Sequence, residues 1–243
     1  MPQIQAELLK IRSTRTTVGL LLGMVGLVLL TVLLTGLVTS AATLTDKQNQ
    51  VGLLGDGSLA GVFAALAGIL LITSEYRFGT IRPTFLFTPR RRRVITAKVV
   101  AGLLAGLAFG ILGEGLGFGI GYVILSGRGI PIALDGGDIT LLLVGALVGV
   151  ALWGAIGVGL GAILQNQIAA VITLLAWGFV AENLLFVFVP AVGRFGPVHA
   201  GNAMVGDTTR HLLAPAAGAA TLIAWSAVLC GVGLALTARR DVN

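Results

Sequence analysis

Six apolar runs, each long enough to cross the hydrocarbon core of a bilayer, dominate this sequence of 243 residues. A membrane-spanning helix needs about 20 apolar residues. With 56% hydrophobic and only 11% charged residues, the chain has too little polar surface for a soluble domain of this length. The sequence therefore predicts one all-α transmembrane domain over residues 1–243, a six-helix bundle. Its spans are expected near 18–42, 51–73, 99–125, 139–164, 168–189 and 212–238.

Basic residues are concentrated between the second and third runs, in segment 74–98. Seven of the sixteen Lys and Arg residues lie there. Basic residues beside membrane spans are retained in the cytoplasm, so this segment is predicted to be a cytoplasmic loop and both termini are predicted to be cytoplasmic. That arrangement puts twelve basic residues inside. It leaves four outside, namely Lys47, Arg128, Arg194 and Arg210.

The first 17 residues have apolar side chains at helical spacing, at Ile4, Leu8 and Ile11, beside polar Glu7 and Lys10. This pattern predicts an amphipathic helix on the inner membrane surface, although a short frayed tail is the alternative. The apolar run that follows is longer than the roughly 7–15 residues of a signal-peptide core, so it is interpreted as a membrane span.

Glycines recur at four-residue spacing along the predicted spans, as at Gly102, Gly106 and Gly110, and at Gly157 and Gly161. Small residues at this spacing let helices approach closely in lipid. The pattern favours close packing within the bundle or at a dimer face, and it does not distinguish the two.

Signatures of catalysis and nucleotide binding are missing from the sequence. It has no GxxxxGK[ST] phosphate loop and no GxSxG elbow, and His199 and His211 lie outside any HExxH pattern. We therefore predict no catalytic, cofactor-binding or metal-binding residues on this chain. The Lys and Arg residues behind the net charge of +6 lie beside apolar spans. They do not form a polar domain with aromatic residues, which argues against nucleic-acid binding.

Two acidic residues, Glu114 and Glu182, lie well away from the ends of predicted spans, and Asn183 follows the second. An acidic side chain near the middle of a bilayer costs about 2.5–3.5 kcal/mol on insertion scales, so each should face protein or water. One hypothesis is that they line a translocation route. The other is that they form hydrogen bonds between helices.

The basic segment carries its own signals for local structure. Gly79 and Thr80 can end the second span, and prolines at positions 83 and 89 predict the start and the end of a short helix over 83–88. That helix would carry the apolar residues Phe85, Leu86 and Phe87. They could enter a partner's groove, or they could dip into lipid while the adjacent arginines bind anionic headgroups.

The same segment contains an E-x-x-x-G-T-I-R motif, followed by a proline, a basic cluster and a lysine. Its residues are Glu75, Gly79, Thr80, Ile81, Arg82, Pro89, Arg90 to Arg93 and Lys98. With the six-span topology, this motif resembles the permease subunits of ABC-2 type transporters. The motif covers about a tenth of the chain, and the matching six-span topology covers nearly all of it.

The resemblance implies a non-enzymatic permease subunit, expected to be an exporter in a bacterial plasma membrane. Its partners would be two cytoplasmic ATPase subunits, which hold ATP and Mg²⁺, and a second permease chain. The loop would contain a coupling helix that docks on the ATPase, made here by residues 80–88 with Pro83 among them and Arg82 and Arg90 at its sides. Residues 190–211, on the outer side, would form short re-entrant helices.

Two other functions stay open at the level of the residues. A proton-coupled secondary transporter would use Glu114 and Glu182 as its relay and would need no ATPase. A membrane-embedded enzyme or assembly factor would need no transport at all.

Overall fold

The computed structural model describes residues 2–80, 91–207 and 212–239, and over these ranges the chain is helical without a strand. Six helices in the described part are long and apolar enough to cross a membrane, as expected for a multi-pass membrane protein. They are Arg15–Val38, Asp56–Arg77, Arg92–Gly127, Gly136–Leu164, Gln167–Phe188 and Pro215–Ala238. The all-α, six-span prediction is therefore confirmed.

The helices are numbered in chain order. The first group comprises α1 (Pro2–Ser13), α2 (Arg15–Val38), α3 (Ala41–Leu44), α4 (Lys47–Leu54), a 3₁₀ turn (Asp56–Leu59) and α5 (Ala60–Arg77). The second comprises α6 (Arg91–Gly127), α7 (Gly136–Leu164), α8 (Gln167–Ala176), a π-helical segment (Trp177–Ala181) and α9 (Glu182–Phe188). The last comprises α10 (Pro190–Gly193), α11 (Pro197–Met204) and α12 (Pro215–Arg239). The fifth span is α8, the π segment and α9 together.

The predicted second span began at residue 51, and this boundary is wrong. Asp46 caps a separate helix, α4, because its carboxylate accepts hydrogen bonds from the backbone N–H groups of Gln48 and Asn49. The chain then turns at Gly55 and enters the 3₁₀ turn. A Cβ at Gly57 would collide with the backbone of α6, so the break permits close contact between the turn and that helix.

Helices extend into the predicted loop segment 74–98 from both sides. Helix α5 continues to Arg77, and α6 begins at Arg91, eight residues before the predicted start of the third span. The lysine that ends the sequence motif, Lys98, thus lies within a helix. The predicted short helix over 83–88 lies outside the described residues.

Three helices form the inside of the bundle and three pack around it. Each span contains an apolar stretch of 18 residues. In α5, α6 and α7, 61%, 56% and 44% of this stretch is buried, against 17%, 11% and 17% in α2, the fifth span and α12. Glycines allow the inner contacts, because a Cβ on Gly106 of α6 would lie 2.6 Å from the carbonyl oxygen of Val150 on α7. The prediction of close glycine-mediated packing within the bundle is confirmed.

Candidate functional site

The structure describes three residues of the predicted coupling loop. Glu75 is buried near the end of α5. Gly79 has a φ of +69°, a left-handed conformation that favours glycine, and Thr80 follows it. The other predicted coupling residues lie outside the described ranges, namely Ile81, Arg82, Pro83, Phe85, Leu86, Phe87, Pro89 and Arg90.

A buried ion cluster lies at the base of this motif, and we call it the Lys98 cluster (Glu7, Lys10, Glu75 and Lys98). The ammonium of Lys98 is fully buried. It donates to Glu7 Oε2 at 2.9 Å, to Glu75 Oε1 at 2.8 Å and to the carbonyl oxygen of Leu71 at 3.0 Å. All three donors of the ammonium are therefore used.

Lys10 completes the cluster from α1. Its Nζ donates to Glu75 Oε1 at 2.7 Å and to Glu7 Oε1 at 3.1 Å, and about half of its side chain is exposed. Burial opposes the charge of Lys10, but the hydrogen bond to Glu75 and the nearby carboxylates raise the pKa of Lys10 overall. Two ammonium groups thus face two carboxylates and join α1 to α5 and α6. Of the four carboxylate oxygens, Glu75 Oε2 has no hydrogen-bond partner in the described part of the chain.

Glu182, in the fifth span, is buried and paired. Its Oε1 accepts a 2.8 Å hydrogen bond from the backbone N–H of His199 and lies 2.9 Å from Nδ1 of the same residue. The imidazole stacks on Phe186, with 4.2 Å between the ring centroids. Glu182 therefore takes the hydrogen-bonding role that was one of its two predicted roles. His199, which the sequence placed outside any HExxH pattern, is its buried partner on α11.

Glu114 differs from Glu182, because neither of its carboxylate oxygens has a hydrogen-bond partner among the described residues. The side chain is 2% exposed and lies in the middle of α6. The 3₁₀ turn packs directly against it, since a Cβ at Gly57 would collide with the Cα of Glu114. Asp56, in that turn, is close enough to repel Glu114 electrostatically. Asp56 Oδ2 is also buried and without a hydrogen-bond partner in the described chain.

Two adjoining cavities lie beside the 3₁₀ turn, and together we call them the Asp56 cleft. The inner cavity, of about 260 Å³, lies between α5, α7, the fifth span and α11. The outer cavity, of about 390 Å³, is lined by α4, the 3₁₀ turn and the end of α11. Their walls share Ser58, Leu59, Asn202 and Val205.

Asn183 is the one intramembrane residue predicted from the sequence that lines the cleft. Its side-chain amide donates to the carbonyl oxygens of Gly178 and Phe179 at 3.2 and 3.3 Å, which holds it against the π segment. Sequence reasoning missed Asp56, which lies near the start of the predicted second span. An Asp-Gly pair at the start of an apolar run was the available signal.

Comparison of the chain with protein-family models and with curated proteins gave no match to either.

Proposed function

We propose that this chain is the permease subunit of an ABC-2 type transporter, an exporter that forms the substrate pathway and couples to separate cytoplasmic ATPase subunits. The observation that carries the proposal is the E-x-x-x-G-T-I-R motif between the second and third spans, together with the burial of its first and last charged residues. Glu75 and Lys98 form a 2.8 Å ion pair that ties the two spans together where they enter and leave the loop.

The charge distribution supports an orientation with both termini in the cytoplasm. In this orientation the Lys98 cluster lies at the cytoplasmic end of the bundle and Asp56 lies towards the outer surface. The bacterial plasma membrane is the proposed location, and lipids contact the exposed apolar faces of the outer spans. The short helices α10 and α11 then lie on the outer side, where this family often forms re-entrant segments.

The proposed mechanism is a rigid-body movement driven from outside the chain. ATP and Mg²⁺ are held by the partner ATPases, whose closure displaces residues 80–88. The displacement passes to α5 and α6, which the Lys98 cluster and close glycine contacts hold as a unit, and α1 moves with them. Such a movement changes the population of inward-open and outward-open states without covalent chemistry on this chain. Substrate crosses at the interface with the second permease chain.

Co-purification tests this proposal. The tagged chain is isolated from its native membranes and the eluate is assayed for a P-loop ATPase and for ATP hydrolysis. We expect a partner ATPase that is lost from the double variant Arg82→Glu/Phe85→Ala and kept by Arg194→Glu, which reverses a charge outside the loop. A chain that functions in cells but purifies without an ATPase contradicts the proposal.

One observation favours a second candidate, a proton-coupled secondary transporter. Glu114 is a buried acid without a hydrogen-bond partner among the described residues, as a proton carrier would be, whereas Glu182 is engaged by His199. Transport that collapses with an uncoupler while cellular ATP is maintained, and that is lost in Glu114→Gln, would support this candidate over the first.

A further inference from the structure

We infer that the Asp56 cleft is a ligand site within a single chain, and that its ligand is an amphipathic organic cation, an apolar ring system joined to a protonated amine. The inference rests on the proposed transport function, because it names the class of substrate that the permease would take and gives it a binding site in each chain, beside the crossing route between the two chains. Binding to the cleft itself needs neither the ATPase nor the second permease chain.

The inner cavity suits an apolar ring. Val62, Trp153, Leu174 and Phe179 contribute to its walls, and glycines in the same walls leave the space between them. A Cβ at Gly61, for example, would lie 3.0 Å from the indole of Trp153. A cavity of about 150 Å³ holds benzene. The inner cavity, at about 260 Å³, therefore has room for a fused bicyclic ring.

The fifth span forms a thin wall between this cavity and the outside of the bundle. Leu175 and Phe179 line the cavity and are themselves 36% and 60% exposed. Only 11% of the apolar 18-residue stretch of this span is buried, the lowest share among the six spans in the described part of the chain. A molecule dissolved in the bilayer therefore meets the cavity across one weakly packed helix, which favours a ligand that partitions into lipid.

The outer cavity determines the charge of the ligand. Asp56 lines it, and the buried Oδ2 of Asp56 lacks a hydrogen-bond partner among the described residues. Glu114, behind the 3₁₀ turn, adds a second acid to the same region. No described Lys, Arg or His lines either cavity. A protonated amine in this cavity would form a charge-assisted hydrogen bond with the Asp56 carboxylate, while an anion would be repelled.

Ser58 and Asn202 lie in the wall shared by the two cavities and connect the apolar part to the acidic part. Their polar side chains suit the short linker between a ring and an amine. The cleft is therefore arranged in the same order as an amphipathic amine, with the ring towards the fifth span and the ammonium at Asp56.

Two matched probes test this inference on the full chain, purified without any ATPase in nanodiscs of phosphatidylcholine. Dansylcadaverine has a bicyclic ring and a protonated amine, and its N-acetyl derivative keeps the ring but has no charge. Binding is followed by energy transfer from tryptophan to the dansyl group, with empty nanodiscs as background. We expect saturable binding of the amine, at least tenfold weaker binding of the acetylated probe, and a partial loss of the transfer in Trp153→Phe, because Trp177 and Trp225 remain as donors.

Substitutions at Asp56 test whether this residue binds the protonated amine of the probe. Asp56→Asn should weaken binding of the amine about tenfold and leave the acetylated probe unchanged, and Asp56→Glu should retain the preference for the amine. The matched control is Asp46→Asn, which removes another outer acid and keeps a residue that caps α4 equally well. This control should bind both probes as the parent does.

Equal affinity for the two probes, or no saturable binding of the amine, would overturn the inference even if Asp56→Asn failed to fold. A well-folded Asp56→Asn protein that binds the amine as the parent does would also overturn it. Since these measurements involve no ATPase, their failure leaves the co-purification result intact, and a chain without an ATPase partner could still bind the amine.

Discussion

Buried acids lie both in the Lys98 cluster and at the Asp56 cleft, but only those of the cluster are paired with cations of the described chain. In the Lys98 cluster, Glu7 and Glu75 face two ammonium groups at 2.7–3.1 Å, and the charges balance. At the cleft, Asp56 lines the outer cavity and Glu114 lies behind it on α6, and no described cation accompanies them. Buried charges that are paired within the chain hold helices together. Buried acids without a partner, beside a cavity, are available to a ligand or a proton.

Removal of Lys98 should have the largest effect on stability. Lys98→Met leaves Glu7 and Glu75 buried without their main cation, and breaking such a buried pair costs about 3–5 kcal/mol. We expect a large fall in the apparent Tm of the detergent-purified chain, measured by tryptophan fluorescence. The variant Glu7→Gln/Glu75→Gln/Lys98→Met should recover much of the loss, because the one charge that it leaves in the cluster is on Lys10, which is about half exposed to solvent. If Lys98→Met were as stable as the parent, the charges would not be what joins α1, α5 and α6.

The next effect is expected at Glu182, a third buried acid and a paired one. Glu182→Leu leaves the buried N–H of His199 without its acceptor, a loss of about 1–3 kcal/mol. Glu182→Gln keeps an oxygen in the same place and should lose less. The apparent Tm values of the two variants should therefore rank parent, Gln, Leu. The reverse ranking would mean that the side chain acts through its size rather than its hydrogen bond.

At Glu114 we expect a substitution to raise stability rather than lower it. Glu114→Leu removes a buried polar group that lacks a hydrogen-bond partner among the described residues, so stability should rise by about 1 kcal/mol. A higher apparent Tm in the same fluorescence assay would confirm that this acid opposes folding. A fall of similar size would indicate a stabilising partner for Glu114 and would remove the contrast with the Lys98 cluster.

Lys10 should contribute least. Its ammonium is about half exposed, and Lys10→Ala should cost about 0.5 kcal/mol, as solvent-exposed pairs do. Because the pKa of Lys10 is raised above its ordinary 10.5, this contribution is fully present at neutral pH. It is lost only as the pH rises through the raised pKa. The Tm difference between parent and Lys10→Ala should therefore be constant from pH 6 to 9, and a difference that disappears within that range would contradict this assignment.

Much of the fold followed from local features of the chain. The six spans were predictable because each depends on the length and apolarity of one run, and most of the boundaries differ by a few residues. Two starts were exceptions. The second span begins late, since the cap at Asp46 and the turn at Gly55 interrupt an apolar run that looks continuous, and α6 begins eight residues before the predicted third span. Glu114 and Glu182 were identified as unusual because any acid inside an apolar run is costly, whatever its neighbours are.

The sequence by itself determined that the chain is a six-span helical protein with a basic segment between its second and third spans and two acids, Glu114 and Glu182, well away from the ends of their spans. Only the tertiary structure decided which charges meet. It brought Glu7 to Lys98 across 91 positions, gave Glu182 a partner in His199, and left Asp56 beside an open cavity. The physical reason is that apolarity adds up along a run, whereas ion pairs and cavities depend on the rotation and spacing of helices, which close glycine contacts set across the bundle.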